Sequence, residues 1–167
     1  MPKPRRIKRL PLKHPVRWAL ALLAVFMMLV VVGALVSSAT TTPPCAESYR
    51  NDKTVKLRDA TLHAQLADTT AARTQGLSGK ACLSADQAML FAFDRPGDYC
   101  FWMKNMNFPI DMVWLNEDRE VTHMVSDALP SSYPHDFCPP TASTYVLELR
   151  AGSVKRLELA EGDSVRF

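Results

Sequence analysis

Residues 18 to 36, WALALLAVFMMLVVVGALV, are an uncharged run of 19 residues in a chain of 167. A helix that crosses a bilayer needs about 20 mostly apolar residues. The run therefore predicts a single N-terminal transmembrane helix and leaves residues 53 to 167 for one domain of ordinary size. Lys3, Arg5, Arg6, Lys8, Arg9, Lys13 and Arg17 precede the run without one acid. The positive-inside tendency makes residues 1 to 17 a basic cytoplasmic arm and sends the rest of the chain across the membrane. The lipid bilayer is then a partner, and anionic inner-leaflet lipids account for the arm. A cleaved signal peptide is the competing reading, because Ser37, Ser38 and Ala39 offer small residues. Its apolar core is usually only about 7 to 15 residues, shorter than this one. Pro43 and Pro44 argue against a lipid anchor on Cys45.

The formal charge of +3 comes from the arm: without its seven cations the chain keeps 20 − 7 = 13 Lys and Arg against 17 Asp and Glu, near −4. No basic face for nucleic acid is indicated. Cys45, Cys82, Cys100 and Cys138 all follow the apolar run. An even count in an oxidising compartment favours disulfides, and spacing leaves all three connectivities open.

Residues 37 to 52 are rich in Ser, Thr and Pro and read as a flexible linker. Beyond them the periods are short. Leu62, Ala64 and Leu66 alternate with His63 and Gln65, the pattern of a half-buried strand. Asp68 then offers an N-cap for TTAARTQ, which Gly76 can close. AMLFAF (88 to 93) and YCFWM (99 to 103) flank a turn-rich DRPGD and predict a hairpin. A second hairpin is expected from residues 111 to 115 and 120 to 125 around NEDR. Four prolines between 130 and 140 mark a surface loop, TYVLELR a strand, Ser153 a helix cap and SVRF a last strand. Six or seven short strands with one or two short helices predict a compact, mainly β domain, a small barrel or a sandwich.

FWMKNMNFPIDMVWLN (101 to 116) places Lys104, Asn105 and Asp111 inside an apolar stretch. On a strand Trp102 and Lys104 share one side, and Pro109 breaks any ladder before Asp111. The polar residues can form a ligand site beside Trp102. They can equally be a structural Lys104 and Asp111 ion pair with Asn105 satisfying loop amides. Arg73 lies just before Gly76, and Glu148 shares a strand face with Val146, opposite Tyr145, Leu147 and Leu149. Met103, Met106, Met112 and Met124 suit core packing better than copper. His63, His123 and His135 have no metal spacing, Ser131, His135 and Asp136 have no nucleophile elbow, and no motif calls for a cofactor.

In order, ARTQGLSG, AMLFAF, FWMKNMNFPIDMVWLN, LPSSYP, YVLELRAG and EGDSVRF resemble the blocks of the family catalogued as domain of unknown function 192, over roughly residues 54 to 167. The resemblance implies a small, mostly β, often exported or membrane-tethered domain, and implies no reaction. Ala88 and Ser78 depart from the glycine and methionine usual in such proteins. Arg73, Lys104, Asn105, Asp111 and Glu148 all fall inside its blocks. With Trp102 they make the candidate ligand-binding set. The expected function is a non-catalytic binding module for a polar small molecule, glycan or peptide of the envelope. The alternatives are an envelope hydrolase or transferase using Asp111 or Glu148 with Lys104 or Arg73, and a structural or partner-binding domain of a membrane complex.

Overall fold

The computed structural model describes Cys45 and residues 49–167. The basic arm, the apolar run and most of the linker lie outside the described residues. Among those described, no helix is long and apolar enough to cross a membrane. In chain order the elements are β1 (Lys53–Leu57), β2 (Ala60–Ala67), α1 (Thr70–Gln75), β3 (Gln87–Gly97), β4 (Phe101–Trp102), β5 (Ile110–Leu115), β6 (Val121–Ala128), β7 (Asp136–Phe137), β8 (Ser143–Arg150), α2 (Ser153–Arg156) and β9 (Val165–Arg166).

Seven strands form one sheet in the order β6-β5-β8-β3-β2-β1-β9, and β4 pairs with β7 apart from it. Neighbours are antiparallel except β2 and β3, whose parallel pairing requires the crossover that carries α1. The two ends of the sheet approach each other. Glu120 and Ser164 form an isolated bridge, and the Val165 amide donates to the Arg119 carbonyl at 2.9 Å. The result is mainly β, a sheet curled into a half-barrel with two short helices.

Period-two alternation sends each strand's apolar residues to two cores. Inside the curl, Val55, Leu62, Leu90, Val113, Leu147 and Leu149 pack together. On the outer face Met89, Phe91, Met112, Trp114 and Val146 pack under Leu77, Met103 and Met106 from the connections.

The hairpin expected from residues 111 to 115 and 120 to 125 is present as β5 and β6, with Trp114 opposite His123. The one expected from 88 to 93 and 99 to 103 is not. β3 runs on to Gly97 beside β8, while Phe101 and Trp102 pair with Phe137 and Asp136. Tyr99 explains the departure, because it folds back to stack on Phe93 with ring centroids 3.4 Å apart. That return needs Gly97, where a Cβ would lie 3.0 Å from the tyrosine ring.

The caps also shift. Thr69, not Asp68, caps α1, accepting from the Ala72 amide at 3.2 Å. Gly76 closes that helix with a positive φ of 51 as expected, but its ψ of −136 lies outside the left-handed helical region. Ser153 is the first residue of α2, and Gly152 occupies the cap position without a side chain to offer. The linker's last residues are attached to the domain: Cys45 is bonded to Cys82, and the Tyr49 hydroxyl donates to the Ala88 carbonyl.

Candidate functional site

Central strand β8 runs between β5 and β3, and all of its residues except Tyr145 and Arg150 are buried, polar ones included. Glu148 stands opposite Met112 on one neighbour and Met89 on the other, which places it on the outer face. It is 4% exposed, and its Oε2 has no hydrogen-bond partner among the described residues. Burial pushes its carboxyl up to about 8, so at neutral pH it is mostly a neutral acid.

Glu148 lines a cleft of about 680 Å³, within the size range of small-molecule sites. Phe91, Phe93, Tyr99, Phe101 and Trp102 give it aromatic walls. Phe91 comes from the sheet, Phe93 and Tyr99 form the stacked pair, and Phe101 and Trp102 come from β4. Phe101 meets Phe91 edge-on at 4.7 Å. Thr70, Thr74 and Ser78 add hydroxyls from α1 and the turn after it, and Asp94, Arg95 and Asp98 add charge.

The structure separates the six residues expected to act together. Arg73, Trp102 and Glu148 line the cleft. Arg73 lies over Phe93 at 5.2 Å, and its Nη1 donates to the carbonyls of Asp68 and Ala92 at 2.7 and 2.8 Å. Trp102 is 52% exposed, with the Lys104 Nζ 5.6 Å from its ring centroid. The two side chains meet although β4 ends at Trp102 and Lys104 lies in the turn beyond it, so the contact is not the strand alternation expected.

Lys104 and Asn105 do not line the cleft; their backbone holds its edge. The Lys104 carbonyl accepts from Ser78 Oγ at 2.9 Å, and the Asn105 carbonyl accepts from the Gly79 amide at 2.9 Å. Asn105 has φ 57, a left-handed conformation that asparagine adopts more readily than most residues.

Asp111 is on the opposite face from Glu148. It pairs with Leu149, and its neighbour Met112 pairs with Glu148, so successive side chains diverge. Fully buried, its carboxylate accepts from the amides of Asp127 at 2.8 Å, Gly152 at 3.2 Å and Val154 at 2.7 Å. Asp111 therefore caps α2 from a distant strand, replacing the side chain that Gly152 lacks. No Lys104 to Asp111 ion pair forms, since the three amides occupy the carboxylate.

Apart from Trp102, the aromatic walls were missed by sequence reasoning, and so was Arg95. Their signal was the density of rings in FAF and YCFW, which marks apolar bulk without saying which rings border open space. Two disulfides, Cys45 to Cys82 and Cys100 to Cys138, select one of the three connectivities. Cys100 lies on the cleft wall, so its bond to Cys138 staples the β4 and β7 pair beside it. Met103, Met106 and Met112 pack in the outer core and Met124 against the inner one, which divides the methionines between faces. Among the described residues no group of three His, Cys, Asp or Glu is placed to hold a metal.

No curated protein matches the chain. Two of the solved structures that match the chain show the shared fold. A protein of unknown function from Novosphingobium aromaticivorans DSM 12444 is 26% identical with a TM-score of 0.65, covering 68% of this chain and 84% of its own. A protein from Sinorhizobium meliloti 1021, provisionally described as a transcription regulator, is 31% identical with a TM-score of 0.66, covering 72% of this chain and 97% of its own. The family model for DUF192, described as an uncharacterized ACR, matches residues 52–167. All of the sheet, both helices and the cleft fall within that span, and the chain belongs to the DUF192 family.

Proposed function

We propose that this protein is a membrane-anchored, extracytoplasmic binding module that takes a polar small molecule, glycan or peptide of the envelope into the cleft above Glu148. The observation that carries the reading is Glu148, which lines the cleft and whose buried Oε2 has no hydrogen-bond partner among the described residues. A polar atom in that position costs stability unless something supplies its hydrogen bond. A few polar groups against aromatic walls are also how ligand sites are generally built. The two disulfides support the exported location, because such bonds persist in oxidising compartments.

The test is titration of the purified full chain with cell-wall glycan fragments, amino acids and short peptides, followed by tryptophan fluorescence. A response is expected that is lost in Trp102→Ala and weakened at least about tenfold in Glu148→Gln, the loss of one charge-assisted hydrogen bond. Binding indifferent to both substitutions would overturn the assignment of the cleft.

One observation favours a second reading, an envelope hydrolase or transferase. An acid raised to about 8 in a desolvated cleft is equipped to donate a proton at neutral pH. Asp111 cannot assist it from across the sheet, and Arg73 is the cation nearest that role. Turnover of an envelope substrate, abolished by Glu148→Gln in folded protein, would establish this reading in place of the first.

A further inference from the structure

We infer that the ligand is an organic cation bearing a primary ammonium group, its nitrogen set on the Glu148 carboxylate and its alkyl portion among Phe91, Phe101 and Trp102. The inference rests on the binding reading above and names the chemistry of the ligand at that same site.

The first argument is charge. Glu148 lies in a cleft that contains cations, yet none of them serves it. The Arg73 guanidinium is committed to the Asp68 and Ala92 carbonyls and to the face of Phe93. Lys104 lies over Trp102 outside the cleft. Arg95 is exposed at the rim beside Asp94. Burial is the cause of the raised carboxyl. The missing counter-charge is what a cationic ligand would bring.

The second argument is the lining. Phe93 is covered by Arg73 on one side and Tyr99 on the other. Phe91, Phe101 and Trp102 border the same space. Phe91 is the diagonal neighbour of Glu148 across the β3 and β8 pair, on the same face, close enough for both to touch one small ligand. Aromatic faces attract cations and exclude anions, and an alkyl chain gains from the same surfaces. An ammonium supplies three donors to a site whose floor is an acceptor.

Ionising Glu148 at neutral pH costs about a factor of ten in affinity, since its carboxyl lies about one pH unit above neutrality. An ammonium against a carboxylate in a water-poor site exceeds that cost, and a neutral hydroxyl does not. Binding is therefore coupled to proton release. The other charged or titratable groups facing this region are Tyr49 from the segment ahead of β1 with Lys80 over its ring, Arg73 from α1, Asp94 and Arg95 from β3, and Asp98 and Tyr99 from the connection to β4.

The experiment is calorimetric titration of the full chain with hexylammonium and, separately, with 1-hexanol, in two buffers of different protonation enthalpy. Hexylammonium is expected to bind at least about tenfold tighter and to release about one proton per ligand at pH 7. Its affinity should rise about tenfold per pH unit from 6 to 8 and level off above. Glu148→Gln should abolish both the preference and the proton release. Proton release is read on the native protein, so the test survives a variant that does not fold. Equal affinity for the two probes, or binding without proton release, overturns the inference. If 1-hexanol binds and is lost in Trp102→Ala without any preference for the amine, the cleft still binds ligands and only the cation falls. If neither probe nor any glycan, amino acid or peptide binds, both readings fall.

Discussion

Asp111 and Glu148 are two buried carboxyls on adjoining strands, and the sheet between them divides their chemistry. On the inner face Asp111 meets three backbone amides and holds the start of α2 against the end of β6. On the outer face Glu148 meets methionines and open space, and one of its oxygens is unanswered. The same residue class is cement on one side and an unmet need on the other. What separates them is the supply of backbone donors. Turns and helix starts offer free amides, and the middle of a fully paired strand offers none.

The comparison can be broken most directly at Asp111. Asp111→Ala leaves three amides without their acceptor and should cost about 3–5 kcal/mol of unfolding free energy, measured by urea denaturation. A cost under about 1 kcal/mol would mean the inner carboxylate is not the fastener described. Next is the staple beside the cleft. The Cys100 to Cys138 bond closes a loop of sequence separation 38. Its replacement by paired serines should cost about 2–4 kcal/mol through greater freedom of the unfolded chain.

Glu148 should behave in the opposite sense. Its carboxyl titrates near 8 in the folded protein and at the ordinary 4.5 when exposed. Between those values the folded state holds a proton that the unfolded state has released, so stability is complete below about 4.5, falls as pH rises through that window and is flat above about 8. Thermal melts of Glu148→Gln should match the native protein near pH 5 and exceed it at pH 9, by about 1–3 kcal/mol after allowing for the buried amide. Equal pH profiles for the two proteins would show that the carboxyl is not confined as described. The smallest effect belongs to Trp102→Ala, where an exposed ring is removed. Stability should change by no more than about 0.5 kcal/mol in the same melts, so a loss of ligand response there reports contact and not collapse.

Strand periodicity made part of this legible. Val146 and Glu148 share the face opposite Leu147 and Leu149, as alternation alone requires, and the β5 and β6 hairpin follows from its turn chemistry. The cleft was harder to read, because its walls are contributed by α1, β3, β4 and β8, and sequence spacing carries no information about which of them leave a gap. Asp111 shows a related limit. Its partners lie 16 to 43 residues away, and backbone amides have no side-chain identity by which a sequence could announce them. Tyr99 defeated the expected β3 and β4 hairpin through a stacking contact that turn propensity does not weigh.

The bridge between Glu120 and Ser164 has a consequence for how copies of this domain behave when crowded. A sheet that ends in unpaired backbone invites another chain to add itself as the next strand. Here one margin, β9, is only two residues long, and the start of the other, β6, is tied back to it. An incoming strand finds no long, flat template at that end of the sheet, so the domain is guarded against growing into fibres by edge-on addition there.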